Sequence, residues 1–266
     1  MDTENVNVID PGVITQTRAF SIFSVFRRSW GALKANPLLY IGFALVMGLL
    51  VFGFTYRFLP NFLRGRRNMQ SQLLAFTLRE LLVLPFLGAA AYAVWRSATG
   101  QRASFISSVL RAGRRLPFIL GVGLVQATLF FMVTLAMGMA TAPFRSPALV
   151  GLALGGGWIA IMIKLAVSIP VCIVEGLGPI ESIRRSFSLT GGNNLMVFVV
   201  VLLLFILNRA TEKSLPYALF PVVMGFYSPA VLRGLAVITL LSTLRLLVSG
   251  ALYFELCAAK NAVQEN

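Results

Sequence analysis

Long apolar segments alternate with short basic connectors along this chain. About 20 residues of helix cross a hydrocarbon core of about 30 Å, so each segment is a candidate membrane span. In chain order we expect spans at 37–58, 72–95, 116–142, 147–174, 195–207 and 231–258. The fifth is short, and a locally thinner bilayer or flanking residues would have to complete it. The pattern predicts an all-α fold, a polytopic transmembrane helical bundle of about six spans.

The ends of the chain differ in composition from the apolar body. Residues 1–17 are polar and acidic and predict a flexible tail, 18–260 form one transmembrane domain, and 261–266 form a C-terminal tail. The N-terminal tail lacks the apolar core of a signal peptide, so we expect the first span to direct insertion.

Three segments that precede the first, third and fifth spans share a pattern. The common form is Ile-x-Ser-(Val/Ile)-x-Arg, and it occurs at 22–27, 106–111 and 180–185. The first copy continues as an amphipathic helix, and a short helix with an apolar face and basic flanks is typical of the membrane interface. The pattern therefore predicts three repeats of an interfacial helix plus two spans. The alternative is coincidence, because these residue types are common before spans.

Composition supports the membrane class. Hydrophobic residues make up 58% of the chain and charged residues 12%, whereas soluble domains carry about 25% charged residues. The mean hydropathy is +0.83. The net charge of +14 would suggest nucleic acid on a soluble protein, but here the basic residues flank apolar spans. We therefore expect membrane lipids with anionic headgroups as partners, and no nucleic acid.

The distribution of Lys and Arg predicts the orientation. With six spans, 12 of these residues fall on the side of the termini and 8 on the other side. The positive-inside rule then predicts that both termini are cytoplasmic. The run Arg64-Gly65-Arg66-Arg67 argues against this orientation.

Several kinds of chemistry are missing from the sequence. It contains no histidine, which excludes histidine metal sites and Ser-His triads. The aspartates are Asp2 and Asp10, both in the tail. Cys172 and Cys257 lie in apolar segments and are typical of small buried hydrophobes. We expect no catalytic residues, no metal site, no cofactor and no enzymatic activity.

Among the charged residues of the predicted spans, we expect four to lie within the bilayer: Arg79, Glu80, Lys164 and Arg245. Charges at this depth are costly and usually pair or line a polar cavity. One interpretation is a cavity that holds an anionic group, such as a lipid phosphate. The other is a structural ion pair of Glu80 with Arg245 or Lys164.

Two carboxylates lie near the cytoplasmic end of the fourth span. Glu175 and Glu181 flank a Gly/Pro-rich corner, where they would form either a cation or proton site or structural contacts. In the structural interpretation, Glu181 favours the positive N-terminus of a helix and Glu175 pairs with a nearby arginine. Gly151 and Gly155 give the same span a small-residue face for close helix packing. Arg27, Arg111 and Arg185, the last residues of the repeated motif, are candidate lipid anchors at the interface.

The segment Pro170-Val-Cys-Ile-Val-Glu-Gly-Leu-Gly-Pro179, followed by Ser182, Arg185-Ser186 and Leu189, resembles a family of bacterial six-span membrane proteins. That family includes the membrane domain of some glycerophosphoryl diester phosphodiesterases and stand-alone relatives without an assigned function. The opening Phe20–Asn36 and Tyr253 are similar as well. The resemblance implies a helical module of the bacterial inner (plasma) membrane and no particular activity. A phosphodiester hydrolase would need histidine and acidic metal ligands, which this chain lacks.

We expect a non-enzymatic integral membrane module or scaffold. The alternative is a transporter or lipid-handling protein that binds an anionic group through its intramembrane Lys and Arg residues.

Overall fold

The structure is a computed structural model that describes residues 20–54, 69–141, 147–207 and 229–264. Every regular element within these ranges is a helix. In chain order the helices are α1 (Ile22–Ala35), α2 (Pro37–Gly53), α3 (Met69–Ala98), α4 (Phe105–Arg114), α5 (Leu116–Thr141), α6 (Pro147–Leu165), α7 (Ser168–Val174), α8 (Pro179–Thr190), α9 (Asn194–Leu207) and α10 (Pro229–Gln264). The predicted N-terminal tail lies outside the described residues.

Four helical segments are long and apolar enough to cross a membrane: Leu81–Ala98, Leu116–Ala140, Gly155–Val174 and Thr239–Lys260. Two bent pairs reach that length only together. The bend is 99° between α1 and α2 and 114° between α8 and α9. The described part of the chain therefore has four candidate spans, or six if each bent pair is one span. The all-helical fold class is confirmed, and the number of spans fits a multi-pass membrane protein.

The bends follow from local sequence. Asn36 precedes Pro37 and adopts φ −144°, ψ 66°. The ring of a proline disfavours helical geometry in the residue before it, so α1 ends at Ala35 and α2 starts at the proline. Between α8 and α9, Gly192 has φ 87°, a left-handed conformation that suits glycine.

The fourth predicted span is one continuous segment in the sequence but two helices in the structure. The helix breaks at residues 166 and 167, between α6 and α7. Pro170 has no N–H to donate to the carbonyl of Ala166 four residues earlier, which removes one helical hydrogen bond at this point. Ser168 stabilises the break, because its hydroxyl donates to the Leu165 carbonyl at 2.8 Å and accepts from Gln126 at 2.6 Å.

The core lies where α3 and α10 pack against each other and against α2 and α7. Large side chains from each helix are fully buried there, among them Phe43, Val94, Ile173 and Leu252. All seven residues of α7 are buried, so this short helix is an internal part of the bundle.

The outer surface of the bundle is apolar. Leu49 in α2 and Leu124 and Phe131 in α5 are each more than half exposed. Extended apolar surface is unusual on a soluble monomer, whereas a helix bundle in lipid presents such residues to the acyl chains.

Candidate functional site

One buried carboxylate joins the two ends of the chain. Glu255 in α10 is only 7% exposed. One of its oxygens accepts from Arg28 Nε at 2.7 Å, and the other accepts from the Ser24 hydroxyl at 2.7 Å. The Arg28 guanidinium also lies 4.1 Å from the ring centroid of Phe254, where a cation–π interaction is favourable. This cluster fixes α1 against the last helix of the bundle.

A second carboxylate fixes α8 in a similar way. Glu175 directly follows α7 and forms an ion pair with Arg185 of α8, with Nε 3.2 Å from the nearer carboxylate oxygen. The Tyr253 hydroxyl of α10 donates to the same carboxylate at 3.0 Å. Glu175 thus has the arginine partner that the structural interpretation describes, and in addition a tyrosine partner from α10.

The corner that carries Glu175 is held by Arg115. Its Nη1 donates to the Gly176 carbonyl at 2.6 Å. Gly176 has φ 72°, and a Cβ at this position would lie 2.8 Å from Arg115 Nη2. Glycine is therefore favoured here by the backbone conformation, and a Cβ would in addition displace the guanidinium.

Glu181 is exposed and acts on its own helix. Its carboxylate accepts from the Gly178 backbone N–H at 3.1 Å, at the start of α8. A carboxylate in the first turn also interacts favourably with the positive end of the helix dipole. This geometry is that of a helix cap.

Arg111 in α4 has an aromatic neighbour. Its guanidinium lies 5.9 Å from the ring centroid of Tyr92. Its Nε is buried, and the described residues supply no hydrogen-bond partner for it. The comparable arginines of α1 and α8 are paired with Glu255 and Glu175.

The short helices α1, α4 and α8 share a pattern of exposed and buried positions. This pattern aligns α1 with the other two differently from the Ile-x-Ser-(Val/Ile)-x-Arg motif. One large apolar residue near the start of each helix is strongly exposed: Phe23 (75%), Ile106 (70%) and Ile180 (72%). Two residues later the side chain is fully buried in all three, at Val25, Ser108 and Ser182. Five residues after the exposed position each helix carries an arginine, at Arg28, Arg111 and Arg185.

In α1 this pattern of burial is displaced by one residue from the Ile-x-Ser motif. Arg27 is exposed, and its neighbour Arg28 makes the ion pair with the bundle. Arg185 is likewise paired rather than free at the surface. Of the three predicted lipid anchors, Arg27 is the exposed one, whereas Arg111 and Arg185 are half-buried.

The predicted intramembrane charges are only partly described. The side chains of Arg79 and Glu80 lie outside the described residues, and so does the predicted pairing of Glu80. Lys164 is one residue from the end of α6, and its ammonium donates to the Asn194 side chain at 2.9 Å. Its backbone carbonyl accepts from the Ser186 hydroxyl at 2.6 Å. Arg245 is half-buried in α10.

Glu255, Arg28 and Ser24 are not among the site residues predicted from the sequence, although the sequence contains one clue. Glu255 interrupts the apolar run Leu252-Tyr-Phe-Glu-Leu-Cys257. A carboxylate within an apolar helix indicates a buried partner. The identity of that partner could not be read, because it lies 227 residues away in the chain.

Comparison with known proteins gives no match to this chain among protein-family models, curated proteins or solved structures.

Proposed function

We propose that this chain is a non-enzymatic integral membrane module that binds anionic lipid headgroups. In this account α2, α3, α5, α6–α7, α9 and α10 form six spans, and α1, α4 and α8 are repeated amphipathic helices in the cytoplasmic interface. The resemblance stated above extends the proposal to the inner membrane of a bacterium.

The observation that carries the proposal is the common exposure of Phe23, Ile106 and Ile180. Each is a large apolar side chain at least 70% exposed near the start of a short helix. Exposed basic residues lie on the same helices, at Arg27, Arg114 and Arg184. An apolar residue that enters the acyl region next to an arginine at headgroup level is the arrangement of an interfacial helix.

The two ion-pair clusters support a scaffold role. The carboxylates of Glu255 and Glu175 are bound to arginines. The Glu255–Arg28 pair joins α10 to α1, which is distant in sequence, whereas Glu175 pairs with the neighbouring helix α8 and reaches α10 through Tyr253. A carboxylate held this way stabilises the position of an interfacial helix.

The transporter alternative has one supporting observation. Lys164 is bonded to the neutral amide of Asn194 rather than to a carboxylate, so that contact leaves its charge uncompensated. An anion that crossed the bundle would meet this ammonium beside the break between α6 and α7.

Quenching by brominated lipids tests the proposed function. Phe23, Ile106 and Ile180 are replaced one at a time by Trp in a background in which the native tryptophans are Phe, and each variant is placed in bilayers that contain brominated phosphatidylglycerol or brominated phosphatidylcholine. We expect all three tryptophans to lie about 5–10 Å inside the headgroup boundary, and we expect phosphatidylglycerol to quench them more strongly.

Leu124→Trp is the matched control, because Leu124 is 66% exposed within the long apolar helix α5. It should be quenched at a deeper level and equally by both lipids. Equal quenching of the three interfacial tryptophans by both lipids, or a mid-bilayer depth for any of them, would contradict the proposal.

A further inference from the structure

A cavity of about 350 Å³ lies beside α1, between that helix and the C-terminal parts of α3 and α10. The polar part of its wall comes from Arg27, Arg28 and Ser24 of α1, from Ser97 of α3 and from Glu255 of α10. The rest of the wall consists of small residues, mainly alanine, with a glycine in α1 at position 31. Its volume is within the range of about 300–1,000 Å³ that is usual for small-molecule sites.

The charges on the wall favour an anion. Two guanidiniums and one carboxylate leave the cavity with a net charge of +1. Both oxygens of Glu255 already accept hydrogen bonds, one from Arg28 and one from Ser24, which weakens the repulsion that this carboxylate would exert on an anion. The charge of Glu255 balances that of Arg28. Arg27, which is exposed beside this pair, supplies the remaining positive charge.

The position of the cavity indicates the kind of anion. It lies under an amphipathic helix whose Phe23 is exposed, so an occupant with acyl chains would have its headgroup at the level of the two arginines. Arginine binds phosphate oxygens through two parallel N–H donors. Basic pockets between membrane helices on the cytoplasmic side are known to hold phosphorylated lipid headgroups.

We propose that this cavity is a specific site for the phosphate ester of an anionic phospholipid headgroup, with Arg27 as the residue that binds the phosphate and Arg28 as the residue that positions the wall through Glu255. This inference rests on the proposed function, because it selects one defined lipid site from a surface that would attract anionic lipid in general.

A pair of glycine substitutions tests the site without changing any charge. A Cβ at Gly31 or at Gly113 would meet nothing within 4 Å, so both helices should accept a larger side chain. Gly31→Leu places that side chain in the cavity. Gly113→Leu places it on another amphipathic helix, α4, which does not line the cavity. We expect only Gly31→Leu to remove the high-affinity lipid.

A pair of arginine substitutions tests the charge. Arg27 and Arg184 are both exposed, and each immediately precedes the arginine that pairs with a carboxylate of the bundle. Arg27→Gln and Arg184→Gln therefore remove the same charge from equivalent positions. We expect Arg27→Gln to weaken binding of the first lipid about fivefold, the effect of one cation near an anionic headgroup, and Arg184→Gln to leave it unchanged.

The readout is native mass spectrometry of detergent-solubilised full-length protein titrated with phosphatidylglycerol, with phosphatidylcholine as the neutral lipid and glycerol 3-phosphate as the free phosphate ester. We expect a first phosphatidylglycerol of higher affinity than the next, and little displacement by glycerol 3-phosphate. Equal affinities in Gly31→Leu and Gly113→Leu, or equal losses in the two arginine variants, would overturn the site. Binding of glycerol 3-phosphate as tight as that of the lipid, with the same sensitivity to Gly31→Leu, would overturn the lipid as its source.

The quenching experiment separates this inference from the proposed function. If the interfacial tryptophans prefer phosphatidylglycerol while Gly31→Leu binds lipid normally, the cavity site is wrong and the proposed function stands. If neither experiment shows a preference for anionic lipid, both fail.

Discussion

At the scale of single residues, the carboxylates Glu255 and Glu175 determine where α1 and α8 lie. Each carboxylate accepts one hydrogen bond from an arginine of an amphipathic helix and another from a hydroxyl group. Charge-assisted hydrogen bonds of this kind are about twice as strong as neutral ones. In a low-dielectric bundle, an arginine that lost its carboxylate would keep its charge without compensation.

Glu255→Gln is therefore expected to lower the free energy of unfolding by about 1–3 kcal/mol. The lower part of that range is expected, because Arg28 remains half-buried and can be solvated in part. The measurement is thermal or steric-trap unfolding in a defined detergent.

Glu181→Gln is the control for this prediction. It also neutralises a carboxylate, but Glu181 is exposed and the glutamine keeps an oxygen that can accept from the Gly178 N–H. An equal loss of unfolding free energy in Glu181→Gln and Glu255→Gln would show that the ion pair to Arg28 does not stabilise the bundle more than an exposed carboxylate does.

The burial pattern shared by α1, α4 and α8 shows what could and could not be predicted from the sequence at this scale. The doublet Arg27-Arg28 offers two alignments, and the serine at position 24 selected the one that uses Arg27. Burial favours the alignment that uses Arg28, because Val25, and not Ser24, is fully buried in the way that Ser108 and Ser182 are. In the burial alignment the same position holds either a small hydroxyl or a small aliphatic side chain, so amino-acid identity alone does not select between the two alignments.

At the scale of helices, α3 and α10 approach closely at a glycine that the sequence pattern did not indicate. Of the predicted pair Gly151 and Gly155, the surroundings of Gly151 lie outside what the structure describes. A Cβ at Gly155 would meet nothing within 4 Å. At Gly250 of α10 it would lie 2.9 Å from Ala91 Cα and 3.1 Å from Val94 Cβ of α3. A glycine in a helix indicates that a close approach is possible, but its partner becomes known only when the two helices are placed together.

Gly250→Ala should therefore destabilise the bundle by about 1–3 kcal/mol, because the nearest atom is the backbone of α3 and cannot yield without moving the helix. Gly48→Ala in α2 is the matched control, since a Cβ there would meet nothing within 4 Å. It should be neutral or slightly stabilising through its helix propensity. Unfolding in detergent measures both, and equal stability of the two variants would contradict the close contact of α3 with α10.

At the scale of the whole molecule, apolar length predicted the fold class well because a long apolar helix is stable in few environments other than a membrane. The same criterion is weaker for the bent pairs. Helix α2 has 17 residues, about 25 Å at 1.5 Å per residue, and α9 is shorter still. Whether such helices cross depends on the flanking charges and on local bilayer thickness, which a hydropathy pattern does not contain.

We propose that six spans hold α1, α4 and α8 on the cytoplasmic side. The decisive measurement is the labelling of single cysteines by a membrane-impermeant maleimide, in intact cells and in inverted membrane vesicles, in a background without Cys172 and Cys257. We predict that cysteines at Arg27, Arg114 and Arg184 react only in inverted vesicles, and that cysteines at Arg64, Arg145 and Arg209 react only in intact cells. Labelling of Arg64 and Arg209 from the same side as Arg27 would mean that α2 and α9 do not cross, and labelling of Arg27, Arg114 and Arg184 from different sides would contradict the shared interfacial face.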